Sequence, residues 1–445
     1  MQNLSLKALR ALPLALILGL AASLAHADGG DDTVGFHGYL RDGAGSSSVH
    51  GPQSCYGLGG NTMKYRLGNE CDAYFEGGFS WDFPKPADAP ADGVVFTGTL
   101  WANEYSPDSQ FGQNGGTLGL AKAYIEAKNL DFLNGGVAWI GERYYYRPDI
   151  HMLDLQYINM NGTGGGVNNI KLGPGTFSYA VFKDNDNAKQ YVPSTDTYIT
   201  TTAAVRQNFI YRDLPVNPGG KLDIALTLIT AEGTGDHGGY NINFFHNQDV
   251  FGGGNTVGVQ YGVGPGSGTG ASNQICCDRI GPSGTTNADS GVKRLRIFDH
   301  LWIQPTKQLS AEFIALVQRD TGDASSPLAF GGTTTAVGTS RWTSLGVRPV
   351  YAFGEHFKLQ GEFGFDNVTS PTGGPSERLN KFTIAPTLTL ASNYWARPEL
   401  RLYVTHATWN TAAVAALNAA NTTPGVYSPT TTAGTSAGLQ LEAWW

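Results

Sequence analysis

The segment 143–157 concentrates groups that could recognise a solute: Arg143, Tyr144, Tyr145, Tyr146, Arg147, Asp149, His151, Asp154, Gln156 and Tyr157. Rings, guanidiniums and carboxylates at this density suit a polyhydroxylated molecule. Its C–H faces lie on aromatic rings and its hydroxyls bond to fixed charged groups. The plainer reading is an aromatic girdle with scattered charges. Two further pairs belong to the same pattern. Tyr39 and Arg41 share one face of the extended run 36–41, and Tyr74 and Glu76 share one face of 71–76, because strand side chains alternate between faces. Catalytic signatures are scarce: there is no HExxH and no Walker A loop. His151 near Asp149 and Asp154 is the only loose acid–base grouping, and a structural or solute-contacting role suits it better. Asp184-Asn185-Asp186-Asn187 starts like a calcium loop but lacks the later Gly and Glu. The 9 histidines show no metal spacing. No enzyme activity, cofactor or metal is expected.

The elements that must carry these residues are strands. In 221–228, Leu222, Ile224, Leu226 and Leu228 alternate with smaller or polar residues. The same period of two recurs at 358–366 (Leu359, Phe363, Phe365), 381–390 (Phe382, Ile384, Leu388, Leu390), 399–405 (Leu400, Leu402, Val404) and 439–445 (Leu439, Leu441, Ala443, Trp445). Each run has about ten residues, the length of a tilted membrane-spanning strand. Connections are of two kinds. Asn217-Pro218-Gly219-Gly220 is turn-like, while 252–290 and 409–435 read as long polar loops, as do the Gly/Thr segments 330–339 and 429–438. Short turns at one end and long loops at the other are the pattern of an outer-membrane barrel. A soluble β-sandwich also alternates; the difference lies in which face is wet.

Composition narrows the classes. The chain has 445 residues, 60 of them Gly, with 41% hydrophobic, 11% aromatic and 15% charged residues. That excludes a coiled coil, a helical bundle and an acidic disordered chain. The mean hydropathy of −0.21 excludes a polytopic helical membrane protein. A net charge of −8 makes a nucleic-acid partner unexpected. Residues 1–27 read as a secretory signal: Lys7 and Arg10, then the apolar Ala11 to Leu24, then Ala25-His26-Ala27 as cleavage site. Residues 28–445 show no composition break and read as one domain. An exported chain meets oxidising conditions. Cys55 and Cys71 could staple a loop; the adjacent Cys276 and Cys277 could bridge or stay reduced.

Several stretches, taken together, resemble the maltoporin (LamB-type) sugar porins. Val34-Gly35-Phe36-His37-Gly38-Tyr39-Leu40-Arg41 resembles the first strand of that family, and Lys64-Tyr65-Arg66-Leu67-Gly68-Asn69-Glu70-Cys71 its second landmark. The run from Trp139 through Arg143, Tyr144, Tyr145, Arg147, Asp149, His151 and Asp154 resembles the approach to its constriction loop. Asn217-Pro218-Gly219-Gly220, Gly346-Val347-Arg348-Pro349, Tyr394-Trp395-Ala396-Arg397-Pro398 and Trp444-Trp445 also match in order.

The resemblance implies an all-β, 18-stranded transmembrane antiparallel β-barrel of the bacterial outer membrane, with short periplasmic turns and long extracellular loops. It implies a homotrimer in outer-membrane lipid that passes maltose and maltodextrins by facilitated diffusion, with some ion transport. It implies a Cys55–Cys71 disulfide in the first loop. Carried over by position, an aromatic slide would include Tyr39, Tyr74, Trp395 and Trp444, with Phe111 reaching a neighbouring subunit. A polar track would include Arg41, Arg66, Glu76, Arg147, Asp149 and Asp154. Of the last two residues, Trp444 would face the lumen and Trp445 the lipid interface.

The chain also departs from that pattern. Gln156 stands where a constriction tyrosine is usual, and Pro148 where a histidine is usual. Ile242 stands where a slide aromatic is expected, with Tyr240 and Phe244 on its strand parity. Ala121 takes the place of a track arginine, with Lys122 on the opposite parity. A wider or less discriminating channel is the reading these departures favour. The competing readings are a general or sucrose-like porin, an outer-membrane enzyme or adhesion barrel, and a secreted carbohydrate-binding β-protein.

Overall fold

The computed structural model describes residues 33–445 except 49–52, 59–63, 91, 108–110, 112–116, 187–189, 193–196, 200–201, 232–235, 269–287, 325–327, 331–333 and 420–426. The export signal expected at 1–27 and the pair Cys276 and Cys277 lie outside the described residues.

Strands account for most of the chain. The first seven are β1 (Gly35–Ser47), β2 (Ala73–Asp82), β3 (Val95–Ser106), β4 (Thr117–Lys128), β5 (Val137–Arg143), β6 (Gly162–Leu172) and β7 (Gly175–Asp186). A small hairpin follows, β8 (Gln190–Val192) with β9 (Thr197–Ile199). Next come β10 (Thr202–Asn217), β11 (Gly220–Ala231), β12 (Gly239–Val250), β13 (Gly253–Val263), β14 (Lys293–Ile303) and β15 (Leu309–Gly322). A second small hairpin pairs β16 (Leu328–Phe330) with β17 (Thr334–Ala336). The chain finishes with β18 (Gly338–Ala352), β19 (Phe357–Thr369), β20 (Glu377–Thr389), β21 (Glu399–Trp409) and β22 (Ala433–Trp444).

Apart from the two hairpins, every strand pairs antiparallel with its chain neighbours in one 18-stranded sheet. β22 closes the ring on β1, with Tyr39 opposite Trp444. Closure removes both sheet edges, which a strand structure in lipid requires. Among the described residues no helix is long and apolar enough to cross a membrane.

The two faces of the sheet decide which solvent lies where. On β21, Leu400, Leu402 and Val404 point outward and are 53–58% exposed, while Glu399, Arg401, Tyr403 and Thr405 point inward and are buried. β11, β19, β20 and β22 repeat this with the apolar sets read from the sequence. A polar interior and an apolar exterior invert the arrangement of a soluble sandwich and fit a barrel in lipid. Rings gather at the short-turn end: Phe36 lies 5.0 Å from Phe79 and 5.6 Å from Trp445, and Phe353 lies 4.9 Å from Tyr351 and 5.7 Å from Phe357. Such a girdle marks a membrane–water boundary.

Two connections turn inward and fill much of the barrel. The first, described over 53–58 and 64–72, is stapled by the Cys55–Cys71 disulfide. Its Leu67 N–H donates to Glu362 on β19 at 3.1 Å and its Gly68 N–H to Gln440 on β22 at 3.0 Å. The Tyr65 ring lies so close to Gly346 and Gly364 that an added Cβ would sit 2.1 and 2.0 Å from it. Those two glycines flatten the wall where the loop docks. The second connection, 144–161, is anchored by the carbonyl of Tyr157, which accepts from Gln260 at 2.9 Å and from Arg296 at 3.3 Å. Arg66 N–H donates to the Met152 carbonyl at 3.1 Å, so the loops touch. The apolar side chains of the second loop, among them Ile150, Met152 and Leu155, bury against inward rings and aliphatics such as Phe298, Ile314, Leu316 and Trp342. The hydrophobic core therefore lies inside the barrel, under the loops.

Three segments expected as loops are partly strand. β13 occupies the first part of 252–290, β18 begins inside 330–339 and β22 begins inside 429–438. The inward face of β13 carries Gly254, Gly258 and Gly262 beside Thr256 and Gln260, and a Cβ on Gly258 would lie 2.2 Å from the Phe298 ring that supports Tyr157. The loop at 409–435 also contains a short helix, Val414–Ala419.

Candidate functional site

Alternation delivers a row of rings to the lumen. Tyr39 comes from β1, Tyr74 from the long-loop end of β2, Trp444 from β22 and Trp395 from the turn between β20 and β21. The centroids of Tyr74 and Tyr39 are 6.1 Å apart. Those of Tyr39 and Trp444 are 6.5 Å apart, with planes inclined by 16°. His151 bridges onward, its ring 5.7 Å from Trp444 and 5.5 Å from Trp395, edge-on to both. Trp302 on β14 continues the row 5.9 Å beyond Trp395. All four tryptophan and tyrosine positions expected there keep part of their surface open. The result is a continuous row of rings, half-buried except for the buried His151, from the long-loop end toward the short-turn end.

Charged groups flank it. Arg41 of β1 holds Asp72 at 2.7 Å, Glu70 at 3.1 Å and Asp154 at 3.1 Å. Arg66 holds Glu70 at 2.8 Å and Glu442 at 3.0 Å, and donates to the Tyr39 hydroxyl at 2.6 Å. Asp154 sits in the left-handed region at φ 55°, ending the turn His151–Leu153. Burial opposes its charge, but Arg41, Arg66 and Lys64 hold the carboxyl well below the usual carboxylate range. Glu442 collects the far side: Arg397 at 2.9 Å, Arg401 at 2.6 Å and His151 at 3.3 Å. Arg397 also lies 4.2 Å from the Trp444 ring centre.

A second knot forms around Glu76 on β2. Tyr144 donates to it at 2.6 Å and Tyr74 at 2.7 Å, and Arg147 approaches it at 3.3 Å while stacking 3.5 Å over the Tyr144 ring. Burial and Glu76 raise the Tyr144 hydroxyl, which therefore stays a donor. Arg147, Glu76 and two phenols thus form one fixed cluster facing the lumen.

Asp149 is different. It is half-buried and forms no ion pair among the described residues. Enough protein surrounds it to push its carboxyl up to about 6, with Asp154 adding to the rise and Arg66 and Arg147 opposing it. Burial pushes the neighbouring His151 down to about 4, so it stays neutral above pH 5. The expected outcome is a channel whose cation preference rises as pH passes upward through about 6, when Asp149 gains its charge. Reversal potentials across a salt gradient between pH 5 and 8 measure this, and the step should vanish in Asp149→Asn.

The structure brings Tyr39, Tyr74, Trp395, Trp444, Arg41, Arg66, Glu76, Arg147 and Asp154 into one lumen, with Asp149 and Gln156 on the same inward loop. Gln156 is half-buried and accepts a hydrogen bond from Asn159. Phe111 lies apart, half-buried in the connection between β3 and β4, and makes no ring contact with the row among the described residues. Trp445 points outward and packs on Phe36 and Phe75.

Two expectations are corrected. Ile242, Tyr240 and Phe244 all face outward; Asn241, Asn243 and Phe245 face in, and Phe245 packs 5.0 Å from Tyr157. Lys122 faces the lumen after all, 3.6 Å over the Trp101 ring and 5.2 Å from that of Tyr144. A bulge beside Trp101 leaves Ala121 unpaired and flips the parity of β4.

Trp302 escaped the sequence reading. Its signal was available, since it shares parity with Arg294, Arg296 and His300 on β14. Gly434-Thr435-Ser436-Ala437-Gly438 spells a nucleophile-elbow pattern, but it lies within strand β22 rather than on a strand-to-helix turn, and Ser436 is buried. Among the described residues no cluster could hold a metal ion.

Comparison with known proteins adds the following. Residues 34–445 match the family model described as LamB porin. The anion-selective porin from Comamonas acidovorans is 12% identical, covers 93% of this chain and 99% of its own, and has a TM-score of 0.45. A BenF-like porin from Pseudomonas fluorescens Pf-5 is 11% identical, covers 93% and 99%, and scores 0.47. OpdK from Pseudomonas aeruginosa, solved with vanillate, is 12% identical, covers 92% and 98%, and scores 0.45.

Proposed function

The chain belongs to the LamB porin family, and from that premise we propose that it passes maltodextrins or closely related oligosaccharides by facilitated diffusion. It is a non-catalytic, porin-type channel of the bacterial outer membrane. The reading of its solute rests on one observation: the unbroken row Tyr74, Tyr39, Trp444, His151, Trp395 and Trp302, flanked by the groups centred on Arg41, Arg66, Asp154 and Glu442. A sugar ring glides from one aromatic face to the next while its hydroxyls exchange partners along the charged row. Each station must bind weakly enough to release. Millimolar affinity corresponds to about −4 kcal/mol, which a few stacks and hydrogen bonds supply after desolvation. In this reading the chain is exported by residues 1–27 and assembles as a homotrimer, in which Phe111 extends the slide of a neighbour.

The test is single-channel conductance in a planar bilayer, titrated with maltotriose, maltohexaose and sucrose. Saturable current block that strengthens with maltodextrin length is the expected result. A channel that conducts but ignores all three sugars overturns the proposal and leaves a general porin.

Gln156 favours a second, narrower question, the width of the neck. A glutamine tied to Asn159 leaves the neck less bulky than a tyrosine would. Gln156→Tyr is expected to lower open-channel conductance and sharpen discrimination by chain length. Unchanged conductance would show that residue 156 does not border the narrowest point.

A further inference from the structure

Outside the lumen, the lipid-facing wall is divided by charge. Lys293 opens β14, Arg319 and Arg341 stand near the long-loop ends of β15 and β18, and Arg378 is the second residue of β20. All four point outward and are exposed. Among the described residues none of the four is in an ion pair; Arg378 donates from its Nε only to Ser376, at 3.4 Å. The only carboxylate on the outward positions of β14, β15, β18, β19 and β20 is Asp299, farther toward the short-turn end, where Asn255 donates to it. The other flank carries the opposite sign, with Asp42 on β1, Glu104 on β3 and Glu142 on β5 facing outward.

We propose that the rim of β14–β20 is a docking surface for a phosphorylated, multiply acylated glycolipid of the outer leaflet. Arg319 and Arg341 are direct partners in the register of β15 and β18. Like charges placed opposite each other on one face of a sheet repel. A shared phosphate reverses that cost, because each guanidinium can fork onto its oxygens. Four residues down the same strands, Ala315 and Leu345 line an open, mostly apolar groove of about 430 Å³ with Leu301, Phe313, Val347 and Phe363, bordered also by Asp299, to which Asn255 donates. Phosphates above and acyl chains below match the sequence of chemistry along these strands. Cations are also tolerated on a barrel exterior near the interface, where they cost about 0–1 kcal/mol.

A second copy of the chain is a poor occupant. Two such rims repel each other, and the acidic flank lies on roughly the opposite side of the barrel. In a closed ring of three, the two neighbours of a subunit lie only about 60° apart as seen from it. A trimer that uses one flank therefore turns the other toward lipid.

The test uses the folded full-length porin in neutral detergent. Bound lipid is counted by native mass spectrometry with diphosphorylated lipid A, dephosphorylated lipid A or inorganic phosphate as the probe. The double variant Arg319→Gln, Arg341→Gln is expected to bind lipid A at least about tenfold more weakly. Lys221→Gln, an exposed cation at the other end of the barrel, should bind as the unaltered chain does. Equal conductance of all three confirms that the barrel is folded. Equal lipid A binding by the double variant overturns the proposal. So does equal binding of the dephosphorylated lipid, which leaves only the apolar wall, and so does displacement of lipid A by millimolar inorganic phosphate. Loss of oligomers in the double variant assigns the rim to contact between copies and also overturns it.

Discussion

Replacing Glu442 with alanine is expected to lower the stability of the folded barrel by about 3–5 kcal/mol, because it leaves buried cations without their counter-charge. Glu442 is fully buried on β22 and is shared by Arg66 of the first inward loop, His151 of the second, Arg397 of a turn and Arg401 of the wall. Glu442 thus ties both loops to the sheet from the wall, as Asp154 does from the second loop through Lys64, Arg66 and Arg41. Glu442→Ala should therefore unfold at lower temperature, read as the shift from folded to unfolded mobility on a gel without prior boiling. Its open current should also be noisier, since both loops lose one anchor. Glu442→Gln retains hydrogen bonds and removes the charge, and should fall between. A Glu442→Ala barrel as heat-stable and as quiet as the unaltered one would mean that the remaining contacts fix the loops by themselves.

The second large effect concerns Trp444. Its ring is nearly parallel to that of Tyr39 and lies under Arg397, in the middle of the row. Trp444→Ala is expected to weaken maltohexaose block about tenfold, the loss of one aromatic contact of about 1–1.5 kcal/mol. Trp445→Ala supplies the internal control. That ring faces outward against Phe36 and Phe75, so sugar block should stay the same. Two adjacent tryptophans with opposite outcomes would separate a lumen effect from a general loss of barrel stability. Equal losses in both, or none in either, would remove the row from the transport path.

Much of the barrel could be read in advance, and the reasons are physical. A strand with one face in lipid and one in water must alternate, so Leu400, Leu402 and Val404 revealed β21, and the same logic separated Trp444 from Trp445. The period failed where a strand breaks it. The bulge at Ala121 flipped Lys122 into the lumen, and no residue type marks that bulge. In β13, glycines on the inward face removed the contrast on which alternation depends, so part of that strand looked like loop. Ile242 was misplaced because family position was carried across a stretch where this strand's own parity puts Phe245 inside. The docking of the inward loops could not be read from periodicity at all. Leu67 bonds to Glu362 across 295 residues, and nothing local in either segment predicts the other. For the same reason the rings could be named individually while their junction through His151 could not.

The seam between β1 and β22 also bears on biogenesis. Tyr39 and Trp444, the central stack of the row, come from the first and last strands and meet only when the two ends of the chain pair. Glu442, which ties down both loops, lies two residues before Trp444. A chain lacking its final dozen residues has neither a closed wall nor a continuous path, however well its other strands form. Transport competence is thus tied to complete synthesis. A truncated product cannot become a leaky pore that retains the row of rings, because the same few residues close the barrel and build the row.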